Sequence, residues 1–119
     1  MIARLKKVLV LNEDRERAVQ EVKKAMSTIR YNIRQIEQNH GECLTAISAE
    51  QGRASTAALD ELMRATNGIA TQTRNKLKAM DTDNKEFARR YEGSSEARIR
   101  SNMHGTLTRK FVDVMAEYQ

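Results

Sequence analysis

The sequence predicts an all-α protein, an antiparallel up-down-up three-helix bundle. Three observations carry that prediction. Apolar residues recur in alternating steps of three and four over three separate segments, two short polar stretches containing glycine divide those segments, and the 119 residues include no proline. The first pattern places one apolar stripe along each helix. The second provides connections short enough to make neighbours antiparallel. The third removes the residue that most often breaks a helix interior.

The opening stretch, MIARLKKVLVLN, carries Ile2, Leu5, Val8 and Leu9 together with Arg4, Lys6 and Lys7. Two readings stand beside each other. The first eighteen residues form a helical extension packed on the bundle, or they make a small basic amphipathic element for a membrane surface. The strongest stripe comes next, at Val19, Val22, Met26, Ile29, Ile33, Ile36, His40, Cys43 and Ile47, over four heptads. A break is expected in SAEQGRAST, residues 48–56, with Ser55 or Thr56 as the cap of the second helix. The second stripe is Leu59, Leu62, Thr66, Ile69, Thr73, Leu77 and Met80, extended by Phe87 and Tyr91. Gly68 lies in its middle and suggests close approach of a neighbour, and the polar run DTDNKE at 81–86 suggests fraying or a bend. EGSSE, residues 92–96, supplies Gly93 as a stop and Ser94 or Ser95 as a cap. The third stripe is Ile99, Met103, Leu107, Phe111, Val114 and Tyr118. These patterns predict helices over about 3–50, 56–91 and 95–119, with residues 1–18 as the extension and 19–119 as the bundle. Packing of i±3 ridges into i±4 grooves near +20° is expected. The third helix is much shorter than the others and has no stop signal, so the chain reads as a piece of something longer.

Composition narrows the function. Hydrophobic residues are 39 % of the chain, charged residues 31 %, and mean hydropathy is −0.70, which suits narrow cores and solvated faces. The longest aliphatic run, VLVL at 8–11, is too short to span a bilayer or form a signal-peptide core. The lone Cys43 cannot make an internal disulfide and fits a reducing compartment. The net charge of +5 is spread among acids with no dense block, so no nucleic-acid partner is expected. His40 and Cys43 sit three apart, and His104 is a third zinc-ligand type, but core filling explains the first two as stripe residues. No Gly-rich phosphate loop and no isolated carboxylate pair stands out. No cofactor, no metal and no catalytic activity are expected. The bundle reads as a means of presenting long helical faces to a partner helix.

The stretch ARIRSNMHGTLTRKFVDVMAEYQ makes the reading specific. Arg98, Ile99, Arg100, His104, Thr106, Leu107, Thr108, Arg109, Lys110, Phe111, Val112, Asp113, Val114, Met115, Glu117 and Tyr118 match the third-helix pattern of the N-terminal regulatory domain of syntaxins, the plasma-membrane type above all. LDELM at 59–63, RNKLKAMD at 74–81 and, more loosely, IRYNIRQIEQN at 29–39 resemble the family's other two helices in order and spacing. The resemblance covers about 19–119. It implies a Habc domain on the cytosolic face of a membrane-anchored fusion protein of the plasma membrane or secretory pathway. Such a domain folds back on its own SNARE helix, which lies between the second and third helices, and is gripped in that closed form by Sec1/Munc18-type proteins. Other SNAREs assemble with the SNARE helix once it is freed. The SNARE motif and anchor are absent from this sequence, and MIARLKKVLVLN stands where the family has a short Sec1/Munc18-binding peptide.

Candidate partner-binding residues are Arg74, Lys78, Arg109, Lys110 and Asp113, on the outward faces of the second and third helices. Val112 and Met115 join them, because the Phe111–Val112–Val114–Met115 cluster is wider than one stripe requires. Rival readings are a spectrin-like or coiled-coil spacer and a salt-sensitive RNA- or lipid-binding bundle. A short third helix leaves part of the other two stripes uncovered, so dimerisation or helix swapping is expected.

Overall fold

The structure, a computed structural model, describes residues 2–118. Three helices follow in order: α1, Ile2–Leu44; α2, Ala49–Arg90; and α3, Ser95–Tyr118. The first turn falls between Leu44 and Ala49, so the limits expected at 50 and 56 stand instead at 44 and 49. Capping chemistry is the reason. Ser48 is extended (φ −136°, ψ 156°), and its Oγ accepts from the Gln51 N–H at 3.0 Å. Gln51 Oε1 in turn accepts from the Ile47 N–H at 3.1 Å. The first bond satisfies a donor that a helix start otherwise leaves orphaned, and the second ties the turn residue before the cap to the same side chain. Gly52 is then absorbed into the first turn of α2. Ser55 and Thr56 are not caps but interior residues: Ser55 is buried, and Thr56 Oγ1 lies 3.7 Å from Cys43 Sγ across the hairpin.

The second turn obeys the chemistry of EGSSE. Gly93 takes φ +77°, where a Cβ is strained, and Ser94 Oγ accepts from the Ala97 N–H at 3.2 Å to start α3. α3 then runs parallel to α1 and antiparallel to α2. Arg100, near its start, reaches the Leu11 carbonyl of α1, and Tyr118, at its end, reaches Met63 and Asn67 of α2.

The core is built mainly from the predicted stripes, except that Ala70 is buried where Ile69 was expected and Ile69 is half-buried beside it. Val19, Val22, Met26, Ile29 and Ile33 of α1 meet Ala70, Leu77 and Met80 of α2 and Leu107, Phe111 and Val114 of α3. Thr66 and Thr73 are fully buried among them, and each hydroxyl donates to the carbonyl four residues back, Leu62 at 2.7 Å and Ile69 at 2.8 Å. The pairing leaves no orphaned hydroxyl at either position. Lys76 Nζ and Glu21 join α2 to α1 at 3.1 Å, a partly exposed pair worth about 0–1 kcal/mol.

Several stripe positions lie elsewhere than the periodicity placed them. Ile47 is 94 % exposed, because it falls in the turn. His40 is exposed and Cys43 only half-buried. Ile99 is 50 % exposed, and its neighbour Arg100 is buried instead. Residues 81–86 do not fray: the helix runs through them and buries Asn84 against α3. Gly68 is exposed, and a Cβ there would meet nothing, so close approach of a neighbour is not its role.

α1 extends to Ile2 without interruption. Val8 is half-buried, and the Arg4 guanidinium sits 5.2 Å from the centroid of the Tyr91 ring at the end of α2. α3 has 24 residues against 43 and 42 in α1 and α2. Past the level of Met63, α1 and α2 therefore continue as a two-helix pair, with Leu44 75 % and Met63 41 % exposed.

Candidate functional site

The α2–α3 seam opens outward into a recess of about 300 Å³, lined by Arg74, Leu77, Lys78 and Asp81 of α2 and by His104, Thr108, Phe111 and Val112 of α3. Helical spacing produces this lining. Positions 74, 77, 78 and 81 share one face of α2, and 104, 108, 111 and 112 share one face of α3. Leu77 and Phe111 are buried and form the floor. The Arg74 guanidinium lies 5.9 Å from the centroid of the Phe111 ring, which holds a cation over an aromatic face at one rim. At the other, His104 Nε2 lies 2.9 Å from the Leu77 carbonyl. A carbonyl only accepts, so Nε2 carries the proton and donates. That bond fixes the spacing of the two helices beside the recess.

Three of the seven sequence-predicted binding residues are thus brought together: Arg74, Lys78 and the 60 % exposed Val112. Arg109 is exposed on the outer face of α3, where its Nη2 donates to Thr106 Oγ1 at 3.3 Å. Lys110 and Asp113 are exposed and do not line the recess. Met115 turns inward and packs, half-buried, against the core. At the end of α3 the Tyr118 hydroxyl shares its proton between Asn67 Oδ1 at 2.9 Å and the Met63 carbonyl at 3.3 Å, and burial pushes its pKa up.

A second recess, of about 230 Å³, lies where the three helices meet near Arg100. Arg100 is 5 % exposed. Its Nη2 donates to the Leu11 carbonyl at 2.7 Å, Nη1 to Asn84 Oδ1 at 3.4 Å, and its guanidinium carbon lies 4.1 Å from the centroid of the Phe87 ring. Asn84 Nδ2 closes the loop by donating to the Arg100 carbonyl at 3.1 Å. Burial, helped by the nearby Arg15 cation, pulls the Arg100 pKa below its ordinary value, and Asp83 and Asp14 oppose the shift. Periodicity did hold a signal for this residue. Arg100 is seven residues before Leu107, eleven before Phe111 and fourteen before Val114, in phase with the core, whereas Ile99 is one position off.

Among the described residues no group of three His, Cys, Asp or Glu side chains is placed to hold a metal ion. His104 faces Leu77, while Cys43 faces Thr56, twenty-one residues away along α2 and so about 32 Å distant. No described helix is long and apolar enough to cross a membrane. Neither recess is an enclosed cleft that gathers nucleophile, base and oxyanion donors.

The molecule is thus an elongated three-helix bundle whose α2–α3 seam has an apolar floor and a charged rim of Arg74, Lys78 and Asp81. The sequence matches the model of the syntaxin family over residues 13–119, and the chain belongs to that family, as its Habc three-helix domain. Among solved structures it is similar to a chain of the Unc18–syntaxin 1 complex from Monosiga brevicollis, at 28 % identity and a TM-score of 0.82. The likeness covers 98 % of this chain and 58 % of that one, so this chain spans somewhat over half the length of that relative.

Proposed function

We propose that this chain acts as the regulatory, non-catalytic domain of a membrane-anchored syntaxin in vesicle docking and fusion, at the cytosolic face of the plasma membrane or a secretory membrane. In this reading the α2–α3 seam receives the SNARE helix of the same protein, and a Sec1/Munc18-type protein holds the resulting closed form. Other SNAREs bind only the freed helix, which makes the domain one arm of a two-state switch biased by a partner. The observation that carries the reading is the seam itself: buried Leu77 and Phe111 as floor, exposed Val112 as apolar rim, and Arg74 and Lys78 as a cationic edge. An amphipathic helix with an acidic flank fits such a surface in the helix-in-groove mode. The similarity to a chain of an Unc18–syntaxin 1 complex supports the second partner.

Val112→Asp places a charge on that rim without touching the core. It is expected to weaken binding of a SNARE-motif peptide at least tenfold while leaving the melting temperature unchanged, and fluorescence anisotropy measures the affinity. Undiminished binding would remove the seam from consideration. Arg109, Lys110 and Asp113, on the outer face of α3, then fit the contact with the Sec1/Munc18-type protein.

The α1–α2 pair beyond Met63 carries exposed Leu44 and Met63 together with half-buried Ile36, Leu59 and Leu62. We infer that the isolated chain self-associates through it. Light scattering at micromolar concentration is expected to give a mass above that of one chain, and a monomer throughout would reject the inference.

A further inference from the structure

The two sides of the first helical turns differ in a way that syntaxin membership does not account for. One side packs: Arg4, Leu5 and Val8 face a recess shared with Phe87, Tyr91, Ser94 and Glu96. The other side is open. Ile2 is 70 %, Leu9 61 % and Val10 55 % exposed, and at 100° per residue these three lie within an arc of about 100° that also holds Lys6. Leu5, 59 % exposed, adjoins the arc on one flank and Lys7 on the other. Residues 2–12 include Arg4, Lys6 and Lys7 and no acid. Aliphatic side chains left in water at this density need a reason, and lysines set among them give the face a positive potential.

We propose that this face of α1, residues 2–10, is a docking site for an anionic lipid bilayer. The aliphatic side chains enter the headgroup–acyl boundary, and Lys6 and Lys7 meet lipid phosphates and carboxylates. Charge complementarity selects this occupant over a second copy of the chain, since two such faces opposed would set like charges against each other. Arg4 contributes less, because it lies over Tyr91 in the recess that Glu96 also lines. The site has a limit along the helix. Glu13 and Glu16 fall on the same side one and two turns later, where an anionic surface repels them. Contact therefore ends near Val10, and the bundle stands off the bilayer by this end, its 71 Å axis inclined to the surface.

The chain contains no tryptophan, so Leu9→Trp introduces a single reporter on the face. With vesicles of phosphatidylcholine and phosphatidylserine its emission is expected to shift to the blue, and far less with phosphatidylcholine alone. In co-sedimentation of the unlabelled chain, binding should fall as salt rises, and by about fivefold for each of Lys6→Ala and Lys7→Ala. Leu9→Ser with Val10→Ser should abolish it. Lys23→Ala with Lys24→Ala, on exposed positions farther along α1, should leave it within twofold. Three results would overturn the proposal: no sedimentation with either vesicle, equal binding to both, or equal losses from the Lys6/Lys7 and Lys23/Lys24 pairs. The last would mean that net charge alone attracts the chain.

Discussion

Leu107→Ala is expected to cost about 2–5 kcal/mol, the range for emptying a fully buried leucine site. Leu107 is wholly inaccessible and belongs to the core cluster that joins α3 to both long helices. The surrounding side chains come from three separate helices, each held by its own packing, so the site collapses poorly around a void. A domain of this size has only about 5–15 kcal/mol to lose. Urea denaturation followed by circular dichroism measures the change. A loss under about 1 kcal/mol would mean that α3 does not seal the core as described. Val112→Ala, on the same helix but exposed, serves as the control and should fall within about 0.5 kcal/mol of the parent.

The second large effect is expected at Arg100. Arg100→Ala removes the guanidinium that lies over Phe87, leaves Asn84 Oδ1 without its donor and enlarges the neighbouring recess of about 230 Å³. A loss of about 2–4 kcal/mol is expected from truncating a buried, hydrogen-bonded cation. The Leu11 carbonyl suffers less, because as a residue inside α1 it keeps its intrahelical bond and loses only its second partner. Arg100→Met combined with Asn84→Leu keeps the volume and removes both polar groups, and should recover more than half of the loss in the same urea titration. A double variant no better than Arg100→Ala would show that the guanidinium supplies something beyond volume and pairing, such as the register of α3 against α1.

Much of this architecture is legible in the residues, for reasons that can be stated. The α1 stripe from Val19 to Ile33 is buried as its spacing requires, because two partner helices flank it along that length. The same spacing continues through His40 and Ile47 without the same outcome, since periodicity reports which side chains share a face and not whether anything covers that face. The first turn was obscured by Gly52, the more conspicuous signal. Ser48 and Gln51, a capping pair three residues apart, determine the start of α2 and could have been recognised. At the site, the sequence marked Arg74, Lys78 and Val112, which converge on one seam. Met115 packs inward, and Arg109, Lys110 and Asp113 lie outside the seam, because adjacent positions on a helix point about 100° apart and a cluster in sequence is not a cluster in space. Arg100 is in phase with the core but was passed over for Ile99, since a long cation is rarely fully buried and its partners come from two other helices.

The mismatch in helix lengths has a consequence for how the molecule breathes. Where α3 is present, opening any one helix exposes the shared core to water, so backbone amides there exchange with solvent only through events approaching global unfolding. Past Met63 two helices lean on each other alone, with a few half-covered aliphatic side chains between them. Amides in that arm exchange through small local openings of much lower free energy. The long axis of the rod is thus also a gradient of protection, firm around Leu107 and loosening toward the turn at Thr45.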